Sequence, residues 1–337
     1  MPEKMKAILL SGFGDAGVMR LGEVPRPQPG PGQILIKVAA ASVNRPDVVQ
    51  REGNYPPPPG ESEILGLEAA GTIESLGENV SGRKPGERVM ALLPGGGYAE
   101  YALARADHAM PIPNGMEFAA AACLCETYIT AYLNLFLIAG LRDGQTLLLH
   151  GGGGGIATAA IQLCRQLAPG ARIIATTSPG KIARVRELGA HEVIDYRGES
   201  FAERVKEITK KRGADVILDH IGGPYLAPNM QSLALGGTLM LIGVMGGVSA
   251  ELNLARAMVK RQRIIGSVLR SRPPEEKAEI IAKFSEAVLP HFASGAIAPL
   301  ISATHPLAKA ADAHRAMEAG EHFGKIVLDM QDADKPN

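Results

Sequence analysis

The chain has 337 residues, a formal net charge of zero and 46% hydrophobic residues, which is typical of a globular protein with room for about two domains. It has no basic surplus for nucleic acid and no run of about 18 apolar residues to span a membrane. The apolar stretch after Lys6 is too short for a secretory signal. The three cysteines form no disulfide framework. We therefore expect a cytoplasmic protein with three reduced, mostly buried thiols that binds neither nucleic acid nor a membrane.

Residues 1 to about 118 contain short apolar segments that predict a β-rich region. Glycine and proline clusters separate these segments. In Pro25–Gly32 the prolines remove backbone donors and fix φ, which excludes regular structure. A second cluster, Asn54–Gly60, predicts a stiff exposed loop, in which Tyr55 has either a packing or a functional role. The predicted strands are Ala7–Leu10, Ile34–Val38, Glu68–Leu76, Arg88–Leu93 and Tyr98–Leu103.

A run of five glycines, Gly151–Gly155, separates an apolar segment from an alanine-rich helical pattern. This order predicts a strand, a tight turn and a helix. Within it, Gly152, Gly154 and Ala157 fit the dinucleotide-binding form G-x-G-x-x-G/A, in which small residues let the backbone approach a pyrophosphate at a helix N-terminus. Because five glycines satisfy many patterns, this motif alone does not distinguish a dinucleotide site from a plain glycine-rich turn.

Strands and helices alternate from Met116 to about residue 269. Such alternation predicts a parallel, doubly wound sheet, because parallel strands are joined by crossover helices. The predicted strands are Thr146–His150, Arg172–Thr177, Glu192–Tyr196, Asp215–Asp219, Thr238–Val244 and Arg263–Val268, and the helices between them are Pro179–Leu188, Glu199–Lys211, Pro224–Leu235 and Leu252–Lys260.

The alternation stops after about residue 270, and neither terminal part of the chain carries an obvious complete core. Since chain termini are often close in space, we expect an α/β protein with one β-rich domain formed by residues 1–118 and 270–337. Residues 119–269 would form a Rossmann domain inserted between its two parts. The C-terminal part has two predicted helices and two predicted strands, Pro274–Phe292, Pro306–Ala319, Leu300–Ala303 and Lys325–Met330.

Six segments spread over nearly the whole chain carry a family resemblance: Ala41–Asp47, Gln50–Gly60, Ile64–Gly71, Ala91–Gly97, Thr158–Leu163 and Leu269–Arg272. With them the chain resembles the zinc-free quinone oxidoreductases of the medium-chain dehydrogenase/reductase superfamily, closest to the tumour-suppressor-inducible branch. The resemblance implies a doubly wound Rossmann sheet inserted in a β-rich, GroES-like catalytic domain, with the cofactor in the cleft. The chain departs from the family in having more glycines in the phosphate loop, and Ala157 where glycine is usual.

The second departure concerns metal. Relatives with catalytic zinc carry a cysteine before the position of Asn44 and Gly-His-Glu where this chain reads Gly66-Leu67-Glu68. Leucine cannot ligate a metal, no cysteine precedes Cys123, and the four closely spaced Cys or His ligands of a structural zinc site are missing. We therefore predict no metal. Without a Lewis acid to stabilise an alkoxide, alcohol oxidation is not expected.

The residues after the second Rossmann strand indicate the cofactor. An NAD enzyme needs a carboxylate there to hold the ribose 2′-hydroxyl, whereas this chain has no acid from Thr176 until Glu187. Ser178, Lys181 and Tyr196 instead suit a 2′-phosphate, so we predict NADPH. Each has an alternative role, respectively as a helix N-cap, a solvated cation and a core residue at a strand end.

The resemblance also implies the residues around the nicotinamide, which include Thr130 and the segments Gly243–Met245 and Ser267–Leu269. It places Asn44 and Tyr55 at the catalytic centre, although Asn44 could instead cap the helix that contains Pro46. His150 is expected to pack beside the cofactor rather than to catalyse. The predicted cofactor-binding set is Thr130, Gly152, Gly153, Gly154, Gly155, Ile156, Ser178, Lys181, Tyr196, Gly243, Val244, Met245, Ser267, Val268 and Leu269.

The function predicted from these features is NADPH-dependent reduction of a small-molecule quinone by hydride transfer, because such chemistry needs position and exclusion of water rather than a nucleophile. Two alternatives stay open: reduction of an activated C=C bond, as in enone or enoyl reductases, with Tyr55 as proton donor, and a non-catalytic, crystallin-like NADPH-binding protein. Strands Thr238–Val244 and Arg263–Val268 should lie toward one sheet edge. Since relatives pair such edges, we also expect a homodimer.

Overall fold

The computed structural model describes residues 3–330. Strands and helices are numbered separately in chain order. The strands are β1 (Lys4–Leu10), β2 (Met19–Pro25), β3 (Gln33–Val43), β4 (Glu68–Leu76), β5 (Arg88–Leu92), β6 (Tyr101–Arg105), β7 (Ala109–Pro111), β8 (Thr146–Leu149), β9 (Arg172–Thr177), β10 (Glu192–Asp195), β11 (Ala214–Asp219), β12 (Leu233–Leu241), β13 (Arg263–Gly266), β14 (Ile301–Pro306) and β15 (Lys325–Asp329). The α-helices are α1 (Arg45–Arg51), α2 (Phe118–Ala121), α3 (Thr127–Tyr132), α4 (Gly155–Leu167), α5 (Ile182–Leu188), α6 (Phe201–Ile208), α7 (Gly223–Ser232), α8 (Leu254–Val259), α9 (Pro274–Ala293) and α10 (Ala310–Ala319).

The described chain divides into two compact units. The first contains the residues up to Ile129 together with those from Arg270 onward, and the second contains Thr130–Leu269. The first crossing point lies after Ile129 and not at residue 118, where the sequence pattern places it. The reason is that α2 packs against β3 and β4, and that Glu126 and Tyr128 after it donate hydrogen bonds to Glu68 and Ala298 of the first unit.

The first unit is built on a mostly antiparallel sheet around the long strand β3, with β14 and β15 paired in parallel at one edge. Within the described residues the sheet has seven strands, ordered β14-β15-β3-β4-β5-β7, with β6 also paired to β3. The strands β1 and β2 form a separate antiparallel pair. Buried side chains of β3, β4, β5 and α10 form one apolar core. This β-rich arrangement is the predicted GroES-like part of the fold.

The second unit is a six-stranded parallel sheet, ordered β10-β9-β8-β11-β12-β13, and confirms the predicted doubly wound α/β fold. All four residues of β8 are buried, as expected for a parallel strand covered on both faces. The strand order reverses between β8 and β11, which is where ligands bind in sheets of this kind. The strand β12 begins at Leu233 rather than Thr238, because Leu233 already pairs with Ala214 of β11 before a bulge.

All three cysteines of the sequence are buried and form no disulfide. Burial raises the pKa of the Cys123 thiol to about 12, and it raises the pKa values of Cys125 and Cys164 well above the usual range. The thiols are therefore protonated packing groups.

No helix in residues 3–330 combines the length and apolar character needed to cross a membrane.

Candidate functional site

The predicted cofactor-binding residues that follow strands lie at one edge of the six-stranded sheet. The glycine run follows β8, Ser178 follows β9, Tyr196 follows β10, Gly243–Met245 follows β12 and Ser267–Leu269 follows β13. Because the carboxyl ends of parallel strands meet at the same edge, these segments line the face at which nucleotides bind in doubly wound sheets.

The glycine run forms the tight turn expected of a phosphate-binding loop. Gly151 has φ of 64°, a value that favours glycine. The Gly152 N–H donates to the Thr176 carbonyl at 2.8 Å, and a Cβ at Gly152 would lie only 3.1 Å from Val185 Cγ1. Helix α4 then starts at Gly155 and runs for 13 residues. Its first N–H groups have no partner within the helix, so the loop fits a pyrophosphate.

His150 is a buried residue that lies between β8 and this loop. Its Nδ1 lies 3.0 Å from Thr176 Oγ1, and its Nε2 lies 2.7 Å from Asn229 Oδ1. The Asn229 amide nitrogen donates to Asp219, so its oxygen faces the ring and Nε2 carries the proton. Burial lowers the pKa of His150 to about 3. The imidazole is therefore neutral, and it joins β8, β9 and α7 as a packing residue.

The structure bears on the alternative roles of the predicted phosphate-binding residues, namely Ser178 as a helix cap and Tyr196 as a core residue. Ser178 occupies the N-cap position of the short turn Pro179–Lys181, but its side chain makes no capping hydrogen bond. Tyr196 is 41% exposed, so it is not a core residue. Lys181 is half-buried at the start of α5. All three residues lie at or beyond the ends of the neighbouring strands β9 and β10.

One carboxylate near this position was missed by the sequence reasoning. Asp195, the last residue of β10, pairs in register with Thr177 of β9, so it lies beside the strand end at which an NAD-specific acid is expected. Its Oδ1 accepts a hydrogen bond from the Arg197 N–H at 2.9 Å, so this oxygen is already bonded within the turn that follows β10. A search of the residues after β9 alone could not find Asp195, because its position depends on strand register.

The segments predicted to contact the nicotinamide are partly exposed. Val244, Met245 and Val268 are exposed, whereas Ser267 and Leu269 are buried. The Thr130 hydroxyl oxygen is buried and has no hydrogen-bond partner within residues 3–330. Since buried hydroxyl groups are normally satisfied, this oxygen fits a role in holding a bound polar group.

Asn44 belongs to a buried polar cluster in the first unit, centred on Glu68. The Asn44 amide nitrogen donates to Glu68 Oε1 at 2.9 Å, and its Oδ1 accepts from Lys325 Nζ at 2.5 Å. Asn44 also precedes α1, where its N–H donates to Asp47. Both ends of the amide are therefore engaged, and its role in the reaction stays a prediction.

Glu68 and Lys325 form a fully buried ion pair, with Nζ and Oε1 3.0 Å apart. Ser42 Oγ donates to the same oxygen at 2.5 Å, and the Glu126 N–H donates to Oε2 at 2.8 Å. Sequence reasoning assigned no role to Lys325 or Glu126. The available signal was a charged residue inside an apolar segment for Glu126 and at the start of one for Lys325. Burying such a charge costs free energy unless the group is paired.

Tyr55 is held by Arg270. The guanidinium lies over the Tyr55 ring, 5.1 Å from its centroid, and donates to the Tyr55 carbonyl at 3.3 Å. Arg270 also donates to the Pro94 carbonyl and to Gln50. Burial raises the pKa of Tyr55 to about 12, with a further contribution from Glu126. The hydroxyl is therefore protonated, and it makes no hydrogen bond within the described chain.

No three His, Cys, Asp or Glu side chains in residues 3–330 are grouped so that they could hold a metal ion. Leu67, at the position where zinc-dependent relatives are expected to carry histidine, is a buried apolar residue.

The chain matches known families over both units. The family model of the alcohol dehydrogenase GroES-like domain matches residues 30–114, and that of zinc-binding dehydrogenase matches residues 155–286. A quinone oxidoreductase from Lama guanicoe is 35% identical over 328 residues, 96% of this chain and 97% of that protein. The structure of a Pseudomonas syringae quinone oxidoreductase matches with a TM-score of 0.88 and 28% identity, covering 96% and 99% of the two chains. A mycobacterial protein solved with NADPH matches with a TM-score of 0.85 and 31% identity, again covering 96% and 99%.

Proposed function

Since this chain belongs to the medium-chain dehydrogenase/reductase superfamily and is a nicotinamide-dependent oxidoreductase, we propose that it reduces quinones with NADPH and without a metal. The observation that carries the substrate class is the Tyr55 hydroxyl. It is protonated, available and fixed by Arg270, so it can donate a hydrogen bond to a quinone oxygen. The quinone oxidoreductases among its relatives support the same substrate class.

We assign the cofactor to the carboxyl edge of the six-stranded sheet. Gly152–Ile156 would hold the pyrophosphate at the start of α4, and Ser178, Lys181 and Tyr196 would hold the 2′-phosphate. Bound NADPH supplies a hydride. The protein residues orient the reactants and exclude water. Thr130 has an unsatisfied hydroxyl oxygen, which supports its place in the cofactor site.

Replacing Tyr55 with phenylalanine tests the substrate class. For a quinone, the rate of NADPH oxidation should fall no more than about tenfold, because one neutral hydrogen bond contributes roughly 0.5–1.5 kcal/mol. For an alkene, the hydroxyl would have to deliver a proton to carbon, and loss of a general acid typically costs about 10²–10⁴-fold. Steady-state assays with a quinone panel and an enone panel measure both.

The matched control for this experiment is Tyr101→Phe, since Arg26 lies over the Tyr101 ring in a similar way, 4.0 Å from its centroid. The control should retain wild-type rates. A loss above a hundredfold confined to enones, with higher wild-type efficiency on them, would establish alkene reduction instead. Absence of wild-type turnover with both panels, despite NADPH binding, would favour the non-catalytic alternative.

We also propose that the protein is a homodimer joined through the β13 edge. This strand has one partner, β12, within the described residues, and the adjacent α8 exposes Leu254, Met258 and Val259. An open strand edge beside apolar side chains favours pairing with a second copy. Light scattering should therefore give about twice the chain mass of 35.4 kDa.

Met258→Glu is expected to shift the protein toward monomer, because it places a charge in the proposed apolar interface. Phe13→Glu is the matched control, since both side chains are 74% exposed and Phe13 lies outside α8. Light scattering of the wild type at micromolar concentration that returns the mass of one chain would contradict the dimer.

A further inference from the structure

Glu126 lies in the apolar segment between α2 and α3. Its neighbour Cys125 is fully buried, while the Glu126 side chain is half-buried. The Glu126 N–H donates to Glu68 Oε2 at 2.8 Å, which fixes the backbone beside the Glu68–Lys325 pair. Its own carboxyl group makes no hydrogen bond within residues 3–330. The residue is therefore positioned by its backbone, and its acid group stays available.

The Glu126 carboxyl interacts with charged groups from several elements of the first unit. Two carboxylates, Glu68 on β4 and Asp47 on α1, oppose its ionisation, while Lys325 on β15 and Arg270 favour it. Burial is the largest cause that raises the pKa of the Glu126 carboxyl to about 8; the two carboxylates raise it further, and the two cations partly offset the rise.

Tyr55 in the proline loop and Lys277 on α9 also interact electrostatically with Glu126. Glu126 and Tyr55 both hold a proton at neutral pH, but they differ in how readily they release it. The pKa of Tyr55 is raised to about 12, whereas that of Glu126 is about 8. A general acid works best when its pKa is near the working pH. Tyr55 is therefore suited to hydrogen bonding, and Glu126 to proton transfer.

We propose that Glu126 is the proton donor of the reduction, an inference that rests on the proposed reductase function. A hydride brings two electrons and one hydrogen to the substrate, so a quinone needs one further proton to become a hydroquinone. The O–H bond of the Glu126 carboxyl breaks, and a new O–H bond forms on the substrate oxygen. The carboxylate left behind takes a proton from water, to which the half-buried side chain is accessible.

Glu126→Gln keeps the shape of the side chain and removes its acidic proton. At pH 7 we expect kcat for a quinone to fall about a hundredfold, at the lower end of general-acid losses, with little change in KM. The wild-type rate should decline as pH rises through about 8, whereas the residual rate of the variant should not follow that titration. Glu126→Asp should restore part of the rate, and Glu117→Gln, an exposed carboxyl on the preceding segment, should change nothing.

A second measurement does not depend on activity. In cofactor-free protein, difference infrared spectra should show a protonated carboxyl that titrates near pH 8 in the wild type and is missing in Glu126→Gln. Because the folded-state pKa lies above the unfolded value, Glu126 contributes stability below its unfolded pKa, and that stability is lost as pH rises through about 8. As the pH rises from the ordinary carboxyl pKa of 4.5 to about 8, the free energy of unfolding of the wild type should therefore fall relative to that of Glu126→Gln.

Three results would overturn the assignment. An unchanged rate and pH profile in Glu126→Gln, with active wild type, would exclude Glu126 as the donor and leave the reductase function intact. Absence of the titrating carboxyl in the infrared spectra would exclude it in the same way. A wild type inactive with quinones and enones would overturn the proposed function, and the donor role with it.

Discussion

Replacing Lys325 with methionine is expected to lower the free energy of unfolding by about 3–5 kcal/mol. Glu68 is completely buried, and the substitution leaves its carboxylate without the ammonium group that lies 3.0 Å away. The remaining donors are Ser42 and Asn44, which donate to one carboxylate oxygen, and the Glu126 N–H, which donates to the other. None of them supplies a positive charge. Urea denaturation followed by circular dichroism measures the loss.

The control for Lys325→Met is Lys4→Met. Lys4 pairs with Glu23 at 3.2 Å, but its side chain is 68% exposed, and such pairs contribute less than about 1 kcal/mol. A double variant, Lys325→Met with Glu68→Gln, should recover most of the lost stability, since it removes the unpaired charge and keeps an acceptor for Ser42. Equal losses in the two methionine variants would contradict the importance of the buried pair.

Lys181→Ala is expected to weaken NADPH binding by roughly ten- to a hundredfold and to leave NADH binding unchanged. A hydrogen bond to a charged group contributes about 1.5–3 kcal/mol, and only NADPH carries the 2′-phosphate. Dissociation constants for both cofactors, measured by calorimetry on wild type and variant, give the ratio directly.

Lys206→Ala is the control for this substitution. Lys206 is a cation on α6 of the same unit and pairs with the exposed Glu203, so its removal tests general charge loss. An NADPH preference that survives Lys181→Ala undiminished would remove Lys181 from the site. A wild type that prefers NADH would instead point to Asp195, which lies at the end of β10 opposite Thr177.

The parallel sheet could be predicted from the sequence because its signals are local. Apolar strands such as β8 are continuous apolar runs, and helical patterns alternate with them along the chain. The early start of β12 could not be predicted in this way. Leu233 is a strand residue because it pairs with Ala214, and a pairing partner is not visible in the local pattern.

The same distinction applies to the site. Residues at strand ends, such as Ser178 and Tyr196, could be placed from the element order alone. Glu68 and Lys325 are separated by 257 positions, and only the folded sheet, in which β15 and β4 both flank β3, makes them partners. The raised pKa of the Glu126 carboxyl depends on burial and on this cluster, so no local pattern in the sequence reveals it.

The burial of the three thiols has a chemical consequence for a protein proposed to take quinones. Quinones are electrophiles, and a cysteine reacts with them as the thiolate, whose abundance and access are set by pKa and exposure. Here Cys123, Cys125 and Cys164 are all inaccessible, and burial raises each thiol pKa. The folded protein therefore presents no thiolate that a quinone could alkylate, whereas unfolding would expose all three.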